Sequence, residues 1–324
     1  MSQDVTRADS IEEQERARDG DKKPKSRRPA NTAFRQQRLK AWHVLPLFFI
    51  VGVIFAPIGG VLLWASSQVQ EISIDYSNCA RQAPTDKYVS VPHYSATFKS
   101  SKSISAPAWR KSVNDSGAIT CTLLFEIPNE LPAPVFMYYR LTNFYQNHRR
   151  YVQSLDLDQL KGDAVPYHKI KGGTCDPLAV NTTAEKVYYP CGLIANSFFN
   201  DTIGWPRIRD PNAPENDKSG KEDYKMTDRG IAWDSDKELI KQTKYNLDEI
   251  LPPPNWVWAS ENGAYKEVPN LHENEAFMVW MRTAGLPSFS KLSRRNDTHD
   301  MPAETYTIDI VDSRCSPLPL GCIC

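Results

Sequence analysis

Two pairs of carboxylates one residue apart, Asp156-Leu-Asp158 and Asp234-Ser-Asp236, have the spacing in this sequence best suited to holding a divalent cation. Side chains at i and i+2 of an extended segment share a face, so such a pair offers hard oxygen donors to one metal, which can then neutralise a nucleotide diphosphate. Two aspartates at this spacing also arise by chance in most chains of this size. His148, in NFYQNHRRY, has the side-chain type of a general base, although a histidine on a helix face is more often structural. Arg149 and Arg150 beside it suit an anionic head group, acidic side chains or simply a solvated face. The sequence contains no GxSxG, no HExxH and no phosphate-cradling glycine loop. No catalytic residue, metal or cofactor is therefore expected.

The cysteines and sequons carry a different chemistry. All seven cysteines lie at or beyond residue 79, and no CxxC or neighbouring histidine gives zinc-type spacing. Cys79, Cys121, Cys175 and Cys191 allow three pairings. Locality favours Cys79 with Cys121 and Cys175 with Cys191, closing loops of about 43 and 17 residues worth roughly 4 and 3 kcal/mol in the chain-entropy account. Cys315, Cys322 and Cys324 cluster at the end, where the terminal Cys-Ile-Cys only imitates a prenylation signal. Asn114, Asn181, Asn200 and Asn296 each open an Asn-x-Ser/Thr tripeptide that accepts N-linked sugar.

What must position all of this is the run His43 to Ala65, uncharged from Val44 to Trp64. Trp42 and Trp64 would stand roughly 33 Å apart on a helix, matching a hydrocarbon core of about 30 Å with an aromatic at each interface. The segment from 43 to 66 is read as a transmembrane helix, since some 40 residues before it are too many for a signal peptide. Arg35, Arg38 and Lys40 precede it and Glu71 and Asp75 follow it. The positive-inside rule then leaves the N-terminus in the cytosol and everything past Ser66 in the lumen or outside the cell. Cysteines and sequons fall on that same oxidising side. Gly52, Ala56 and Gly60 form a small-residue face suited to close packing of a partner helix, and Pro57 removes a helix donor, so a bend is expected there.

Residues 1–40 are polar and charged, and read as a disordered cytosolic tail, with Phe34, Leu39 and Trp42 as apolar members of a lead-in to the membrane. Zero formal net charge gives no reason to expect nucleic acid. Residues 67–312 are read as one ectodomain. EISIDY, CTLLFEI and TYTIDI alternate as half-buried strands, VFMYYR is a further strand, and AFMVWM suits a fully buried one. EISIDY and TYTIDI, similar in pattern, are expected to be sheet neighbours. Helical spacing appears in TNFYQNHRRYVQSLD, and DSDKELIKQTKYNLDEI reads as a second helix ended by Pro252, Pro253 and Pro254. With 24 prolines and few helices, the fold class is mainly antiparallel β with helical insertions plus one N-terminal transmembrane helix.

Several runs resemble one family: FRQQRLKAW, PVFMYYRLTNFYQNHRRYVQSLDLDQLKG, YPCGLIANSFFNDT, GIAWDSDKE and FMVWMRTAGLPSFSKL. They are similar to the Cdc-fifty / Lem-three proteins (cell cycle control protein, ligand-effect modulator) in a fungal-like form, over about residues 31–312. The resemblance implies a non-catalytic β subunit of type-four P-type ATPases, the phospholipid flippases. It further implies a glycosylated β-rich ectodomain with two disulfides and a heterodimer in which the partner hydrolyses ATP and moves lipid. This subunit would support the partner's folding, its exit from the endoplasmic reticulum and its cycle, in the endoplasmic reticulum, Golgi, endosome or plasma membrane. Two departures stand out. The membrane entry after Trp42 is shortened, and RCSPLPLGCIC follows Ser313 where relatives continue into a second membrane helix. Residues 313–324 are accordingly read as a non-family tail, and the second helix as lost by truncation or mis-splicing. The competing readings are a single-anchor luminal glycosyltransferase using an Asp-x-Asp metal site, and a stand-alone adhesion or receptor ectodomain.

Overall fold

The computed structural model describes residues 41–100, 104–114, 118–209, 223–256 and 259–312. Arg35, Arg38, Lys40, Phe34, Leu39, Cys315, Cys322 and Cys324 lie outside the described residues. The chain divides after Val69 into two units. The first holds helix α1 (Ala41–Ser67), 27 residues that continue as helix through Pro46 and Pro57. Its apolar stretch Val44–Ser67 is 24 residues, about 36 Å of helix, and none of it is buried. With no charge and no sheltered side, its apolar surface has only lipid or another protein to meet.

The second unit starts with β1 (Glu71–Ile74), α2 (Cys79–Gln82), β2 (Val89–Ser90), β3 (Tyr94–Thr97), β4 (Ala108–Val113), β5 (Ile119–Glu126) and β6 (Val135–Leu141). Short elements follow: α3 (Arg149–Val152), α4 (Leu157–Leu160), α5 (Tyr167–Ile170), β7 (Val180–Asn181), β8 (Lys186–Tyr188), α6 (Leu193–Asn196), β9 (Thr202–Ile203) and β10 (Arg207–Ile208). The last are α7 (Asp234–Leu239), β11 (Ile250–Leu251), β12 (Ser260–Glu261), β13 (Ala264–Tyr265), α8 (Glu275–Met281), β14 (Phe289–Asn296) and β15 (Thr305–Asp312).

The principal sheet runs β10-β15-β5-β4-β2, with β9 also on β15. β15 and β5 pair antiparallel along their whole length, so Tyr306, Ile308 and Ile310 stand opposite Phe125, Leu123 and Cys121. That is the alternation of both segments brought onto one face, and it forms a core with Trp109, Val91 and Cys79 at one end and Tyr224, Met226 and Met301 at the other. β6 and β14 form a separate antiparallel ribbon. A larger core gathers Tyr189, Trp256, Phe277 and Met278 among the loops and short helices.

Four expectations are corrected. AFMVWM is α8, a helix rather than a buried strand, because Asn274 accepts the Phe277 N–H at 2.9 Å and so supplies an N-cap; a six-residue apolar run cannot by its period decide between the two. TNFYQNHRRYVQSLD is helical only over Arg149–Val152. Asn143 sits at φ 57°, and the Phe144 N–H donates to Pro287 O at 3.1 Å instead of within a helix. The helix at Asp234 stops at Leu239 because Lys241 and Lys244 donate backbone N–H to Leu160 O and Gly162 O, and Ile250–Leu251 is a strand parallel to β8. β1 pairs with β3 and not with β15. What brought the two patterns together is packing, since Ile72 and Ile74 lie against the core that Tyr306 enters.

Candidate functional site

The Asp-x-Asp pairs are occupied by local structure. Asp156 caps α4, its Oδ1 accepting the Gln159 N–H at 2.8 Å, while Asp158 faces Lys169 at 3.6 Å. Asp234 lies in the first turn of α7, and Asp236 accepts the Arg282 guanidinium at 2.8 and 3.2 Å, with that guanidinium 3.9 Å from the centre of the Trp233 ring. Among the described residues no three His, Cys, Asp or Glu side chains group as metal ligands. His148 is exposed at the N-terminus of α3 without capping it, and Arg149 and Arg150 are exposed on the same turn.

The cysteines are joined Cys79–Cys121 and Cys175–Cys191, with Cα separations of 6.2 and 5.7 Å. The first ties α2 to β5, and the second closes the segment that holds β7 and β8. Asn114 is exposed and Asn181 and Asn200 are half-buried. Asn296 is different: it is 8% exposed, its Nδ2 donates to Lys225 O at 2.9 Å, and its Oδ1 accepts the Thr298 and His299 N–H groups. Gly52 and Gly60 look into open space, a Cβ at either meeting nothing within 4 Å, and Ala56 is exposed between them. The small-residue face is therefore uncovered among the described residues.

The long idiosyncratic runs of the sequence meet in a buried polar network that residue type alone did not single out. Gln146 is fully buried; its Oε1 accepts the Ala284 N–H at 2.9 Å and its Nε2 donates to Tyr151 Oη at 3.3 Å. The Tyr151 hydroxyl shares a 2.7 Å hydrogen bond with Ser197 Oγ, whose hydroxyl also lies 2.8 Å from Leu193 O. Ser154 Oγ accepts the Leu193 N–H at 2.8 Å, and Gly192 stands at φ 100° hard against the Ser154 backbone, where a Cβ would clash. Gln159, also buried, accepts the Cys191 N–H at 2.8 Å and donates to Tyr188 O at 3.1 Å.

Two buried charges are tied to α8. The Lys291 ammonium donates to the Val279, Trp280 and Arg282 carbonyls at the end of α8. Burial, with the Arg282 charge nearby, brings it down to about 8, so it stays protonated at neutral pH. Glu275 Oε2 accepts the Ile231 and Ala232 N–H groups at 2.8 and 3.0 Å, and Oε1 meets Lys237 Nζ at 3.1 Å. Burial raises the Glu275 carboxyl, but those donors outweigh it and hold the group below its ordinary value. Burial pushes the Tyr189 hydroxyl up to about 12 and lifts Tyr139 and Tyr265 further. The geometry is that of a cross-braced scaffold, in which Lys291 follows Phe289 on the inward face of β14.

Residues 62–313 match the profile of the LEM3 (ligand-effect modulator 3) family / CDC50 family. The chain is similar to the phospholipid-transporting ATPase accessory subunit CRF1 of Saccharomyces cerevisiae, 43% identical over 296 residues, or 88% of this chain and 72% of that protein. It is similar to the phospholipid-transporting ATPase accessory subunit CDC50 of Chaetomium thermophilum, 39% identical over 89% of this chain and 75% of that protein. It is also similar to the cell cycle control protein 50A of Mus musculus, 37% identical over 88% of this chain and 76% of that protein.

Proposed function

The chain belongs to the LEM3 / CDC50 family, and from that premise we propose that it is the non-catalytic accessory subunit of a phospholipid-transporting P-type ATPase. The observation that carries this reading is a family match spanning 62–313, the end of the apolar helix and all of the described ectodomain, at up to 43% identity to accessory subunits. It works by binding rather than by chemistry: the ATPase hydrolyses ATP and moves lipid, and this chain supports its folding and its cycle. Residues 1–40 form a cytosolic tail, 43–66 the membrane helix, 67–312 a luminal or extracellular ectodomain and 313–324 a tail of separate character. The cations before α1, the two disulfides and the exposed sequon at Asn114 support that sidedness. Gly52, Ala56 and Gly60 pack against a helix of the partner, a role their open surroundings favour. The protein resides along the secretory route, from endoplasmic reticulum to Golgi, endosome or plasma membrane.

Isolation of the full chain from native membranes in mild detergent tests the reading. A stoichiometric P-type ATPase should accompany it; a chain recovered by itself would sink the proposal.

A further inference from the structure

The ribbon of β6 and β14 ends at the pair Leu141 and Phe289, and beyond it two loops, 142–148 and 282–288, are bound to each other. The Phe144 N–H donates to Pro287 O at 3.1 Å, Asn147 Nδ2 to Gly285 O at 3.0 Å and the Ala284 N–H to Gln146 Oε1 at 2.9 Å. Below them Phe144 packs against Tyr151, Trp280 and Phe289, with ring centres 5.8 to 6.2 Å away. Backbone held this firmly nevertheless exposes large apolar side chains, Leu286 at 69% and Tyr145 at 58%. A loop with nothing to bind gains nothing from fixing a leucine in water, whereas a docking surface gains by having its anchors already ordered.

The charge on these loops is one-sided. No Asp or Glu occurs from 142 to 155 or from 282 to 296, although the chain as a whole is neutral. Arg282 and Lys291 are committed to Asp236 and to backbone carbonyls. Arg149 and Arg150 are exposed and meet no carboxylate among the described residues. Tyrosine and arginine beside an aliphatic anchor is the composition of a protein interface core, and the unbalanced cations call for an acidic counterpart.

We propose that the joined loops 142–150 and 282–288 are where the ectodomain seats on an acidic, non-cytosolic segment of the transporting ATPase, with Tyr145 and Leu286 as apolar anchors and Arg149 and Arg150 as the charged pair. The buried network through Gln146, Tyr151 and Ser197 holds that surface in shape. The inference rests on the accessory-subunit reading and adds to it the surface used.

The full chain is co-expressed with the ATPase that accompanies it, in three forms: Arg149→Glu with Arg150→Glu, Tyr145→Ser with Leu286→Ser, and Arg149→Lys with Arg150→Lys. The first two should recover at least ten-fold less ATPase, while disulfide content and protease resistance match the unaltered chain. The lysine form should retain the partner. Equal ATPase recovery by all three would overturn the inference. So would unchanged recovery with loss only of stimulation by anionic phospholipid, which would assign the surface to lipid head groups. If the unaltered chain brings down no ATPase, the accessory-subunit reading itself has failed, a result separable from failure of the surface.

Discussion

Lys291, Glu275, Gln146 and Gln159 are the residues on which the ectodomain's interior turns, and none was singled out by the sequence. The reason is physical: a lysine, glutamate or glutamine reads as solvent-facing until its hydrogen-bond partners are known, and those partners, mostly backbone groups on other elements, are set by the fold. Cysteine pairing by locality needed only distance along the chain, and the carboxylate pairs needed only a cap and an arginine to lose their metal reading. Glu275 has a measurable consequence. Its carboxyl is raised by burial, but the Ile231 and Ala232 N–H donors and Lys237 outweigh that and hold it below the ordinary 4.5. A depressed pKa means that the stabilisation is complete above the unfolded value and is lost as pH falls through the folded one. Melting of the detergent-solubilised protein should therefore show Glu275→Gln less stable than the unaltered chain at pH 7, with the gap closing as pH falls below the ordinary 4.5 and through the lower folded value. A gap independent of pH would show that the charge contributes nothing.

At the scale of elements, strands with two-residue alternation were legible because one face must be dry: Glu71–Ile74, Ile119–Glu126 and Thr305–Asp312 all lie where their patterns placed them. Helices were not, because among the described residues the longest in the ectodomain has only 7 residues and nearby loops replace its neighbours' helical hydrogen bonds. α8 shows what decides such a case. Its apolar run fits either structure, and the deciding signal was the polar Asn274 ahead of it, whose side chain meets the Phe277 N–H. Asn274→Ala should cost about 1 kcal/mol in thermal unfolding, and Asn274→Asp should retain most of the stability. Equal stability of the alanine form would mean that packing of Phe277, Met278 and Trp280 alone holds the helix.

For the whole molecule, the question is which compartment receives the ectodomain, and sugar is the direct reporter. Burial and sidedness make separate demands on the four sequons. Asn114, Asn181 and Asn200 keep part of their surface in water, so a glycan attached during entry into the lumen is compatible with the finished fold. Asn296 is enclosed and its amide donates to Lys225 O, so a glycan at this position would have to displace the packing around it. Replacing Asn114, Asn181 or Asn200 with Gln should each remove one glycosidase-sensitive step in gel mobility. Asn296→Gln should leave mobility unchanged and instead lower stability by about 1–3 kcal/mol, since a longer side chain cannot meet the same backbone groups. A mobility step lost at Asn296 would mean the β14 end is built differently, and no step at any of the four would place the ectodomain on the cytosolic side.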